Sequence, residues 1–183
     1  MARKADLTEI IERLETLYTG SYLDLEKQHL RLPDGREAVR EIVNVRDAVA
    51  VLPILENGDV VLVRQYRPAI KKTLLEIPAG LLDDGEDEKT AAIRECEEET
   101  GYCPKQLKRL LRYAHAEGYS TGWITLFVAD DLEKTGKISL DRTEHLEPIQ
   151  LSFEELEQLA RQNEILDSKT ILSTVLTKAW LDL

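Results

Sequence analysis

The stretch from Gly80 to Tyr102, GLLDDGEDEKTAAIRECEEETGY, restricts the fold of this chain more than any other segment. Gly101 stands where a helix C-terminus takes a residue that tolerates positive φ. Asp83, Asp84, Glu86 and Asp87 put negative charge at the opposite end, where the helix dipole favours it. These signals predict a helix from Asp87 to Thr100. At about 100° per residue, Glu95, Glu98 and Glu99 fall in one sector, and Ala92, Ile93 and Cys96 form a neighbouring apolar face that would pack on a sheet. Glu97 points away from the other three acids. Like charges three or four residues apart weaken a helix, and acids at its C-terminus oppose the dipole.

Two readings of those acids are open. A run of charge is ordinarily a solvated face. Alternatively, the carboxylates are oxygen ligands for a hard divalent cation such as Mg²⁺ or Mn²⁺. The acids cluster beside Arg94 instead of alternating with lysines, so the face is not arranged for i,i+4 pairing. The glycine-containing loop before the helix can also bring backbone carbonyls to the same spot. Both points favour the cation without excluding the solvated face.

Strand signals surround this helix. Asp34-Gly35 separates two strand-like runs and Asn57-Gly58 two runs rich in Val and Ile, the pattern of a hairpin. LLEIPA reads as a short strand leading into Gly80, and Trp123 to Ala129, WITLFVA, as a buried one. Ser152 with Glu155 three residues on is a capping box that starts a helix, and a last amphipathic helix follows a cap at Asp167 or Ser168. DLTEIIERLETLY near the N-terminus has helical spacing. Strands, a central helix, more strand and two further helices indicate an α/β or α+β layered fold.

The 183 residues, 43% hydrophobic and 32% charged, suffice for one substantial domain. A net charge of −11 argues against tight binding to nucleic acid or to anionic membranes. It leaves phosphorylated small molecules available, because a metal ion inverts the local field. No apolar run approaches bilayer length and MARKADLTEI lacks a signal-peptide core, so a cytoplasmic protein is expected. Cys96 and Cys103 are too few for a disulfide framework.

The spacing within the opening stretch goes further. Gly80, Glu86, Arg94, Glu95, Cys96, Glu98, Glu99, Gly101 and Tyr102 fill every defining position of a pattern that resembles the signature of the Nudix hydrolases. VRQYRP, LLEIPAG and ILDSKTILSTVL look like the branch of ADP-ribose pyrophosphatases and nucleoside diphosphate sugar hydrolases, over roughly Tyr22 to Leu176. The resemblance implies a Nudix fold, a mixed β-sheet sandwiched between helices, over 45–183. An N-terminal β-hairpin segment over 1–44 would make a homodimer.

Carried onto these positions, the resemblance makes Glu95 and Glu99 metal ligands, with the Ala79 carbonyl as a further one. Glu98 would join them through water or a second Mg²⁺ or Mn²⁺, Arg94 would orient the glutamates, and Glu86 would hold the loop. Arg67 would contact substrate, and Arg46 and Arg40 are further candidates around the nucleotide, each with a surface salt bridge as its ordinary alternative. The loop YAHAEGYSTGWITLF departs from the branch: Glu117 takes a usual proline position, and Thr121 and Gly122 stand where acids are expected. The general base is therefore open among Glu117, Glu98, Glu144 and His145.

Cys96 reads as a small buried side chain, Trp123 and Trp180 as core or interface anchors, and Tyr18 and Tyr22 as core residues, with stacking on a nucleotide base the alternative that the resemblance implies for either tyrosine. The activity implied is metal-dependent hydrolysis of nucleoside diphosphate sugars to a nucleoside monophosphate and a sugar phosphate. A pyrophosphatase of nucleoside triphosphates or dinucleoside polyphosphates, and a non-catalytic nucleotide-binding module, are the competing readings.

Overall fold

A computed structural model describes residues 6–181, in two compact units. The first comprises the N-terminal segment to Asp47 together with Ala114–Trp123. It is built on an antiparallel sheet of β1 (Ile10–Thr19), β2 (Asp24–Arg31) and β3 (Glu37–Asn44), in that order. The expected turn at Asp34-Gly35 is present, with Gly35 at φ 88° and its N–H donating to the Leu32 carbonyl at 2.9 Å. The segment Ala114–Trp123 runs beside the end of β3: the Val43 N–H donates to Tyr119 O at 2.7 Å, and the Thr121 N–H to Val43 O at 3.0 Å.

The helical spacing of 6–18 does not become a helix. Ile10 to Thr19 pair with Arg31 to Asp24 through two register shifts, between Ile11 and Arg13 and between Thr16 and Tyr18, and the cross-strand ion pair between Glu12 and Arg31 closes at 2.6 Å. β-Branched Ile10, Ile11, Thr16 and Thr19 suit that pairing, which outweighs a weak local propensity. Tyr18 and Tyr22, expected in the core, are 58% and 63% exposed. Trp123 is 42% exposed and so is no core residue, while the side chain of Trp180 lies outside the described residues.

The second unit, Ala48–Tyr113 and Ile124–Leu183, carries the layered core. Strands β4 (Ala48–Pro53), β7 (Ala79–Leu81), β9 (Lys108–Ala114) and β10 (Trp123–Ala129) form one sheet in the order β7-β4-β10-β9, with β4 and β10 parallel. Strands β5 (Asp59–Arg67), β6 (Lys72–Glu76) and β12 (Leu146–Ser152) form a second, antiparallel, in the order β12-β5-β6. A two-stranded ribbon joins β8 (Tyr102–Pro104) and β11 (Leu132–Lys134).

Alternation along β4 and β10 sorts their side chains to two faces. Val49, Val51, Phe127 and Ala129 pack with Ala91, Ala92 and Cys96 of helix α1 (Glu88–Thr100). Ala50, Leu52, Ile124, Leu126 and Val128 pack on the opposite side with Val60 and Leu62 of β5, Ile77, Leu156 and Ile165. Helices α2 (Phe153–Arg161) and α3 (Ser168–Leu181) cover that second cluster through Phe153, Leu159, Ile171 and Leu172. The sheets therefore lie between helices. The Ser152–Glu155 capping box opens α2, and Asp167 rather than Ser168 caps α3, its carboxylate accepting the Thr170 N–H at 3.0 Å.

The Asn57-Gly58 turn forms as expected, with Gly58 at φ 84°, but its flanking runs do not make a simple hairpin. Only Ile54 and Val60 bridge, after which β4 and β5 enter different sheets. Both runs are apolar on consecutive positions, so each finds cover on both faces. Truncation at the centre of this packing is expected to be costly: Leu126→Ala, at a fully buried position, should lower the unfolding free energy by about 2–5 kcal/mol in urea denaturation.

Candidate active site

Helix α1 starts and ends as its sequence dictates. Asp87 is the N-cap, accepting the N–H groups of Lys89 and Thr90, and Gly101 ends the helix in the left-handed conformation at φ 74°. Apolar packing of Ala91, Ala92 and Cys96 turns the remaining face towards β7. Glu99 comes to rest there almost wholly out of water, 3% exposed, and its hydrogen bond among the described residues is from the Ala79 N–H at 3.0 Å. Glu95 lies over the neighbouring Gly80, where a Cβ would meet its carboxylate and push it aside.

Arg94 organises the neighbouring acids. Its Nε and Nη2 donate to Glu86 at 3.0 and 2.8 Å, and its Nη1 to Glu95 at 2.6 Å and Glu98 at 3.2 Å. The Glu98 contact is an i,i+4 ion pair, so the face does use such pairing, through arginine in place of lysine. Glu86 also accepts the Asp83 N–H at 3.1 Å, which closes the loop before the helix. The guanidinium is held firmly protonated, first by its bonds to Glu86 and then by those to Glu95.

Charge balance in this cluster is unfavourable. Burial pushes the Glu99 carboxyl up to about 8, and the negative charges of Glu144 and Glu95 add to it. The Ala79 N–H and the charge of Arg67 pull the other way. Glu95 is raised too, by burial first, with Glu98 and Glu144 contributing. Glu144, on the segment between β11 and β12, therefore acts on both acids. That segment is tied to the end of α1 by main-chain bonds: the Ser139 N–H donates to Glu98 O, and those of Thr135 and Gly136 to Gly101 O, each at 3.0 Å.

Arg67, at the end of β5, forks onto Glu76 of β6, with Nε to Oε1 at 2.6 Å and Nη2 to Oε2 at 2.7 Å. Burial pushes the Glu76 carboxyl up, but the bond to Arg67 and the charges of Lys169 and Arg67 outweigh it and hold the group below its ordinary range. Neither Glu76 nor Lys169 stands out in the sequence. A glutamate inside an otherwise apolar strand, LLEIPA, is the one signal that could have found the first.

The other candidates lie in the first unit. Arg40 pairs with Glu9 at 2.9 Å on its exposed sheet. Arg46 lines a cavity of about 330 Å³ with Tyr22, Asp24, Asn44 and Thr121. Glu117 is exposed on the segment Ala114–Trp123, where Thr121 is structural, its hydroxyl accepting the Val45 N–H at 3.2 Å. Cys96 is fully buried and its thiol is pushed up to about 12 by burial, so it is no nucleophile at neutral pH.

Oxygen donors gathered this way suit a hard divalent cation. Among the described residues, no three acidic, imidazole or thiol groups form a closed metal cage. Mg²⁺ does not need one, because it keeps waters and shares its shell with substrate phosphates. A buried carboxylate without a cationic hydrogen-bond partner, beside two further acids, is the misfit that such an ion relieves.

The raised Glu99 carboxyl sets a pH dependence. Its folded value, about 8, exceeds its ordinary 4.5, so the folded state keeps a proton that the unfolded chain releases. Its contribution to stability is full at low pH and is lost as pH rises between those two values. In chelator-treated protein, Glu99→Gln should flatten the fall in unfolding free energy between about pH 5 and 8 and raise stability at about pH 8, read by urea denaturation.

The chain matches the NUDIX domain over residues 44–173. The methanol dehydrogenase activator of Bacillus methanolicus is 38% identical over 162 residues, 88% of each chain. The ADP-ribose pyrophosphatase of Bacillus subtilis (strain 168) is 35% identical over 157 residues, 85% of each. A crystal structure of an ADP compounds hydrolase shares the fold, with a TM-score of 0.87 and 24% identity over 99% of this chain and 97% of that one. A NUDIX match spanning most of the chain, with the glycine-bounded glutamate helix inside it, shows that this protein belongs to the Nudix family.

Proposed function

We propose that the protein hydrolyses the diphosphate of nucleoside diphosphate sugars, ADP-ribose included, giving a nucleoside monophosphate and a sugar phosphate. The observation that carries this reading is Glu99, buried beside Glu95 and under the negative charge of Glu144. The substrate class is supported by the 35% identical relative named an ADP-ribose pyrophosphatase. Glu95, Glu99, Glu98 and the Ala79 carbonyl would hold Mg²⁺ or Mn²⁺. Once bound, such an ion supplies charge neutralisation on the diphosphate and acidifies an attacking water.

The chain's own groups do the rest. Arg67 offers Nη1, which has no partner among the described residues, to a diphosphate oxygen, in the planar geometry that suits such a group. Glu144 is the general base: it is half-buried, acts on both Glu95 and Glu99, and accepts the proton of the water. Glu98 is engaged by Arg94, and Glu117 is exposed in the first unit. Arg46, in its cavity beside Tyr22, is the second candidate for contact with the nucleotide, and the ion pair to Glu9 gives Arg40 a surface role. Two unpaired cysteines fit a reducing compartment such as the cytoplasm.

The first unit supports a homodimer. Every residue of β1 is exposed, the apolar Ile10, Ile11, Leu14 and Leu17 among them, on the edge strand of its sheet. Light scattering should give twice the chain mass of 20.9 kDa at micromolar concentration, and a monomer mass would remove the claim.

A panel of nucleoside diphosphate sugars, nucleoside triphosphates and dinucleoside polyphosphates, with Mg²⁺ or Mn²⁺ and both products measured, tests the activity. ADP-ribose or another diphosphate sugar should be the best substrate, and faster triphosphate cleavage would overturn the assignment. Glu144→Gln should lower kcat by about 10²–10⁴-fold, while Glu117→Gln stays within about threefold.

A further inference from the structure

Behind Arg67 lies a chain of charge that the proposed chemistry does not use. Glu76, 2% exposed, receives the Arg67 fork and, on the same Oε2, the ammonium of Lys169 at 3.1 Å. Lys169 is 12% exposed and donates to Asp167 Oδ1 at 2.6 Å. Asp167 Oδ2 takes the Thr170 N–H at 3.0 Å and its hydroxyl at 2.6 Å, and that hydroxyl accepts the Ile77 N–H at 2.8 Å. The first turn of α3 is thus bonded to the backbone next to Glu76. Two acids and two bases balance, and exposure rises outward to 40% at Arg67.

We infer that Lys169, fixed by Asp167, is a positioning residue: it supplies the second positive charge that lets Glu76 grip Arg67 by both oxygens, leaving Nη1 of Arg67 held towards the diphosphate. The inference rests on the reading of Arg67 as the diphosphate-binding arginine. Its physical basis is that a buried carboxylate keeps its charge only when paired and hydrogen-bonded. Burial favours neutral Lys169, yet the charges of Asp167 and Glu76 prevail and keep it protonated. Without that ammonium, Glu76 and Asp167 would share one guanidinium between them. The plane of the Arg67 fork would then no longer be fixed, and part of the ordering would fall on each binding event.

The test uses ADP-ribose with Mg²⁺. Lys169→Met keeps the apolar stem and removes the charge; it should raise KM about tenfold with kcat changed by less than about threefold, the pattern of lost uniform binding. Lys169→Arg should restore most of the affinity. In an Arg67→Lys background, where no fork exists, Lys169→Met should add no more than about twofold to KM. A folded Lys169→Met with unchanged KM, or an equal loss in both backgrounds, would overturn the inference.

A second measurement does not need turnover. The Nε–H resonance of Arg67, identified by its loss in Arg67→Lys, should be sharp and slow to exchange in metal-free wild type. It should broaden in folded Lys169→Gln, which offers an amide without charge. A broad wild-type resonance, or one unmoved in Lys169→Gln, would also overturn the inference. A wild type that turns over no diphosphate sugar yet shows the sharp resonance would sink the functional reading and leave the positioning intact.

Discussion

The site depends on one desolvated carboxylate. Glu99 is carried to β7 by apolar contacts that involve no charge at all: Ala91, Ala92 and Cys96 seat α1 on Val49 and Val51 of β4. The same strand pairs with β7, Val49 opposite Gly80 and Ala50 opposite Ala79, so a single strand sets the position of both the helix and the elbow it faces. The acid is thereby placed by hydrophobic burial in surroundings that oppose its ionised form. Such local conflict within an otherwise consistent fold is characteristic of functional sites.

Much of this was legible in the residues. Both helix caps of α1, the capping box of α2 and the strand Trp123–Ala129 rest on local signals, and each forms as those signals indicate. The N-terminal strand was not legible, because Ile10, Ile11, Leu14 and Leu17 satisfy a helical period, whereas the pairing with β2 that decides the matter lies more than a turn away in sequence. The split of β4 and β5 between sheets was likewise a tertiary choice, made by cover on both faces. In the site, spacing singles out Glu95, Glu98 and Glu99 because one helix carries them all. Arg67, Glu76 and Lys169 come from three elements, so no window of sequence contains their relation.

Two strategies for handling buried charge stand close together in the second unit. Around Arg67 the acids and bases cancel, each oxygen of Glu76 has a donor, and the ions are quiet partners of the fold. Around Glu99 the negative charge is in excess, with Arg94 committed to Glu86, Glu95 and Glu98. The balanced group stiffens the scaffold, and the unbalanced one is left able to take up a cation. The electrostatic reach of Arg67 to Glu99 links the two.

The segment that bears Glu144 is moored to the tail of α1 by the amide groups of Thr135, Gly136 and Ser139 and by the Thr135 hydroxyl, which donates to Gly101 O at 3.2 Å. A mooring made mainly by the main chain is tolerant of side-chain identity, save at Thr135 and at Gly136 with its φ of 67°, and is strict about chain length. Substitutions elsewhere along it would leave the acid in place, whereas gaining or losing one residue would displace the carboxylate. The sequence therefore offers Glu144 only as one acid among several: its position is encoded as a distance along the backbone, with no motif to mark it.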